Sequence, residues 1–184
     1  MRKGVLAGVV VLLAVVGGKR VCGQATSRDL AKARGAELGN LLRTVEGAAA
    51  EPPRTFRTTD GYVRFLSAPP ARRFPAAAGT AQEQAEAFIE RWRNLFVNES
   101  PEVTFEQNRV KAANGRSYIR HRQKYAGLEV FGAEMVVQVG DAGGVEAVIS
   151  EIMRDTMALD TSKLSINPTI NASTAQQKAM PRSK

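Results

Sequence analysis

The first pattern along the chain is a run, not a period. Val5 to Val16 holds only aliphatic, alanine and glycine positions behind the basic pair Arg2 and Lys3. A positive start followed by such a run is the build of a secretory signal. The run falls short of the roughly 20 apolar residues that span a bilayer, so no stable membrane anchor is expected. A cut after Gly23 places Val21 at the −3 position, and a cut after Ala25 places Gly23 there; residues 1–25 are read as a signal ending at one of these two sites. Cys22 follows Lys19-Arg20-Val21, which is not the small or aliphatic context that lipid attachment requires.

The pattern then becomes periodic. Ser27 offers an N-cap, and Leu30, Leu38, Leu41, Leu42 and Val45 recur at helical spacing, with Arg28, Lys32, Arg34, Glu37 and Arg43 on the other face. Residues 48–58, with Pro52-Pro53, read as a linker, because consecutive prolines stiffen the chain and end a helix. Residues 26–57 thus form a helix and a Pro-rich linker. The alternation of Tyr62 to Leu66, between Asp60-Gly61 and Pro69-Pro70, predicts a strand.

Thr80-Ala81-Gln82-Glu83 is a capping box, and Ala81, Ala85, Phe88, Trp92, Leu95 and Phe96 form one apolar stripe behind it. This predicts an amphipathic helix that packs on a sheet. Val103, Phe105 and Val110 suggest a second strand, closed by a turn at Asn114-Gly115. Ser117–Tyr125, Leu128–Val139 and Val145–Met153 follow as extended runs separated by Gly127 and the Gly140–Gly144 cluster. Connections this short require antiparallel neighbours, since a parallel pair needs a crossover of a dozen residues or more. The expected class is α+β: an antiparallel β-meander packed by one amphipathic helix over 58–160, with an additional N-terminal helix. Residues 161–184 turn polar, with a short helix from Ala172 or Ser173 to Ala179.

Composition narrows the function. A chain of 184 residues that is 43% hydrophobic and 24% charged is neither wholly disordered nor a multi-span membrane protein. The formal charge of +8 includes Arg2, Lys3, Lys19 and Arg20, so removing the signal leaves +4. A single cysteine excludes an internal disulfide framework, and a single histidine, His121, excludes a His-x-x-x-His zinc helix. Nucleophilic catalysis would have to run through His121, which sits in an alternating strand between Arg120 and Arg122 with no partner constellation. No catalytic residue, metal ligand or cofactor is expected. Arg116, Arg120, Arg122 and Lys124 lie along one strand face, and Arg72-Arg73 adds two further basic residues. No stacking aromatics are interleaved among them, so they read as a solvated face and not a nucleic-acid site.

One stretch is specific. Gln123, Tyr125, Gly127, Leu128, Val130, Phe131 and Gly132, with Leu95-Phe96 upstream, resemble the fungalysin/thermolysin propeptide domain, the N-terminal prosegment of secreted thermolysin-type zinc proteases. Glu129 stands where that family usually has Pro, and Arg122 where it often has Gln. The two glycines bracket the motif and permit a tight turn or a bulge, while Tyr125 and Phe131 add aromatic mass to the sheet. The motif residues are read as fold-defining or partner-contacting.

The resemblance implies a secreted, extracellular or periplasmic, non-catalytic module. Its partner would be a thermolysin-type metalloprotease catalytic domain, bound in cis or in trans as folding chaperone or inhibitor. Two alternatives accompany it. One is the truncated remnant of a protease precursor, suggested by the ending Met180-Pro181-Arg182-Ser183-Lys184 where a second prosegment domain would begin. The other is a basic surface-binding protein.

Overall fold

In a computed structural model that describes residues 26–45, 52–69, 72–162 and 170–179, six strands form one antiparallel sheet. The signal at 1–25, Cys22, the Ala-rich start of the linker and Met180–Lys184 lie outside the described residues.

Helix α1 spans Ser27–Arg43. Its cap is Thr26, one residue before the expected Ser27: the Thr26 hydroxyl accepts from the Asp29 N–H, and Asp29 reaches back to the Thr26 N–H. Leu38, Leu41 and Val45 are buried as the period requires, whereas Leu30 is exposed. Arg34, assigned to the polar face, is buried instead. Its guanidinium lies 3.7 Å from the Tyr62 ring centroid and donates to the Asp60 carbonyl at 3.0 and 3.2 Å. A planar, weakly hydrated cation can enter such a site because its donors stay satisfied while its face stacks.

Strand β1, Arg54–Arg57, lies where a linker was expected and pairs with β2, Val63–Ser67. Pro52-Pro53 precedes it, and proline is compatible with the beginning of an edge strand. Phe74 then pairs with Val145 through reciprocal backbone bonds of 2.8 and 3.0 Å and buries its ring in the core.

The Thr80 capping box opens helix α2, Ala81–Arg91. The apolar stripe outlasts the α-helix: Trp92 is its C-cap, and a 3-10 turn at Arg93–Leu95 carries Leu95 and Phe96 into the core. Four strands follow, β3 at Val103–Ala113, β4 at Arg116–Tyr125, β5 at Leu128–Gly140 and β6 at Val145–Glu151. The sheet order is β1-β2-β6-β5-β4-β3, a four-stranded meander with the β1–β2 hairpin added beside β6. Asn114-Gly115 and Ala126-Gly127 both take positive φ, the requirement of two-residue hairpin turns whose twist matches the strands.

Helix α2 packs across β4, β5 and β6, and α1 packs against the 3-10 turn. Ile119, Met135, Val137 and Val148 point into this layer with Phe74, Phe88, Leu95 and Phe96. The class is α+β, as expected. Two short helices complete the described chain, α3 at Met157–Ser162 and α4 at Ala172–Ala179. No helix among the described residues is long and apolar enough to cross a membrane.

Candidate functional site

The seven motif residues gather at one end of the β4–β5 hairpin, and the structure divides them in two. Gln123 is fully buried in β4. Its amide donates to the Met153 carbonyl at 2.7 Å and accepts from the Met153 N–H at 2.8 Å, just beyond the end of β6. Tyr125 is half-buried, and its hydroxyl donates to Asp160 at 2.9 Å. The same carboxylate accepts from Ser100 at 3.0 Å and Thr156 at 3.1 Å, which ties α3 to β4 and to the segment after α2. Burial raises the Asp160 carboxyl, but the bonds from Tyr125, Ser100 and Thr156 outweigh it and hold the group below its ordinary value.

The exposed half arises from a change of register. Arg122 faces Glu134 and Lys124 faces Glu129, so residues 130–133 of β5 are set against Gln123 alone. An unequal count of this kind is a bulge, and Gly132 (φ 71°) takes the left-handed conformation within it. Val130 remains partly buried against the core. The Phe131 side chain projects fully into solvent, 101% exposed, and Leu128 at the start of β5 is 53% exposed. The expectation that Tyr125 and Phe131 both add aromatic mass to the sheet therefore holds only for Tyr125. The glycines on either side of the Leu-Glu-Val-Phe segment were the available signal, but strand alternation alone does not show which residues a bulge ejects. Glu129 makes an ion pair with Arg122 at 3.0 Å.

The remaining candidates separate from this end. His121 is buried under α2, and neither ring nitrogen has a hydrogen-bond partner. Burial lowers its pKa to about 4. A groove of about 400 Å³ runs beside it, lined by Glu86, Glu90, Arg93 and Phe105 among others. Among the described residues no three His, Cys, Asp or Glu side chains are placed to share a metal ion. Arg120 pairs with Glu134 at 2.6 Å, Arg122 with Glu129, and Lys124 with Glu106. Arg116 pairs with Glu146 at 2.6 Å and Arg73 with the same carboxylate at 2.9 Å. The basic stripe is a face of ion pairs.

Compared with models of known families, residues 106–152 match the Fungalysin/Thermolysin Propeptide Motif. The matched segment runs from β3 to just past β6 and contains all seven motif residues. No curated protein matches the chain.

Proposed function

Because residues 106–152 carry the propeptide motif of fungalysin- and thermolysin-type proteases, we propose that the chain is a secreted, non-catalytic prosegment module. It binds a thermolysin-type catalytic domain and acts as folding chaperone and inhibitor. The observation that carries this reading is the split within the motif: Gln123, Tyr125, Gly127 and Gly132 build and brace the hairpin, while Leu128 and Phe131 are held out in water. A fully exposed phenylalanine contributes nothing to its own core, whereas aromatic anchors that fill a partner's pocket dominate binding energy. The bulge positions such an anchor on a rigid hairpin, which lowers the ordering cost of association.

The purified chain is expected to slow casein hydrolysis by a thermolysin-type protease while hydrolysing none itself. Caseinolysis by the pure chain, or failure to slow any enzyme of a panel of such proteases, overturns the proposal.

A further inference from the structure

The face of the sheet turned away from the helices carries a row that crosses all six strands. Successive register partners are Phe56, Phe65, Ile149, Val136, Arg120 and Arg109, on β1, β2, β6, β5, β4 and β3. Four apolar side chains lie at one end and two cations at the other. Phe56 is 67% exposed and Ile149 is 49% exposed, and the Phe56 and Phe65 ring centroids are 5.8 Å apart. The neighbouring row continues the basic end with Tyr118 and Lys111. A solvated antiparallel face ordinarily carries polar residues at these positions, so a contiguous apolar stripe across four strands marks a contact surface.

Charge defines the other end. Arg120 is neutralised by Glu134, but Arg109 and Lys111 make no ion pair among the described residues. With Tyr118 and Val136 they line a hollow of about 390 Å³. An apolar ridge that ends in carboxylates would cover the row; a polyanion would leave the apolar half uncompensated. Six strands span roughly 24 Å at the usual spacing, the width of a protein footprint and not of a small ligand. A second copy of this chain covers the row only in part. A two-fold contact over its full length sets cation against cation or the apolar end against the partner's unpaired cations, and a staggered one covers the apolar half but leaves Arg109 and Lys111 without a counter-charge.

Resting on the prosegment reading above, we infer that this open face is a second contact surface for the protease catalytic domain, covered by an apolar ridge with an acidic border. The hairpin tip anchors the partner, and the open face sets its orientation.

The test measures inhibition of a thermolysin-type catalytic domain that the full chain inhibits. Phe65→Glu with Ile149→Glu is expected to raise the inhibition constant at least ~10-fold. Arg109→Glu with Lys111→Glu, on an exposed edge strand away from the core, is expected to raise it ~10-fold at low salt, a loss that added salt partly relieves although it weakens inhibition by wild type. Thermal melts of both variants check that the fold is kept. Both variants within about twofold of wild type, with Leu128→Ala/Phe131→Ala still losing inhibition, would overturn this surface and leave the prosegment reading intact. A wild-type chain that inhibits no such domain overturns both. A dimer seen by sedimentation velocity and abolished by Ile149→Glu overturns the inference in favour of self-association.

Discussion

The side chain of Gln123 serves Met153 as a strand would: it accepts from the Met153 N–H at 2.8 Å and donates to the Met153 carbonyl at 2.7 Å. Strand β6 ends at Glu151, so this amide replaces the pairing that its continuation loses. Gln123→Leu leaves two backbone groups unpaired in a buried site and is expected to cost about 2–4 kcal/mol, read by urea unfolding. Gln123→Glu keeps the acceptor but loses the donor and should recover part of that loss at acidic pH, where the carboxyl is protonated.

His121 makes stability depend on pH. Its folded-state pKa is lowered by burial from 6.5 to about 4, so between these values the unfolded chain binds a proton that the native chain does not. Stability should therefore fall as pH drops from about 6.5 toward 4, by about 3 kcal/mol from this group. His121→Leu should flatten that part of the profile, with the unfolding free energy measured across the same range. An unchanged slope in the variant would show that other groups carry it.

Asp160 acts in the same direction at lower pH. A carboxylate held below its ordinary value by Tyr125, Ser100 and Thr156 contributes stability that is present above the unfolded value and lost as pH falls through the folded one. Protection of the α3 amides, with exchange referred to the intrinsic rate at each pH, should fall over that window while β4 and β5 stay protected. Tyr125→Phe should lower α3 protection already at neutral pH.

Gly132 is required for its backbone and not for space. Its φ is 71°, and a Cβ built there would meet nothing within 4 Å. Gly132→Val is expected to cost about 1–2 kcal/mol, and Gly132→Asn less, because asparagine tolerates the left-handed region better. Equal losses for the two variants would point to a packing role.

Leu128 and Phe131 should separate stability from binding. Leu128→Ser/Phe131→Ser is expected to shift unfolding by less than about 0.5 kcal/mol, as exposed positions usually do. Protease inhibition by the same variant should be lost. A large loss of stability would mean that the two side chains brace the fold.

What was legible in the sequence followed from local physics. The Thr80 capping box and the glycine turns at Gly115 and Gly127 depend on neighbours a few residues away and appear where the spacing places them; the helical periods of α1 and α2 appear too, with the cap of α1 one residue earlier and the end of the α2 stripe in a 3-10 turn. The propeptide motif was legible too, because residue types at fixed spacing survive without coordinates. What tertiary structure alone decided were matters of partnership at long range. Strand β1 exists because β2 returns beside it, Arg34 is buried because Tyr62 and Asp60 receive it, and Phe131 is expelled because β4 and β5 differ in length across Gln123. The row from Phe56 to Arg109 draws one residue from each strand, and no period within any single strand contains it. Sequence determines the strands whose period is their own; register between strands determines which residues form a surface.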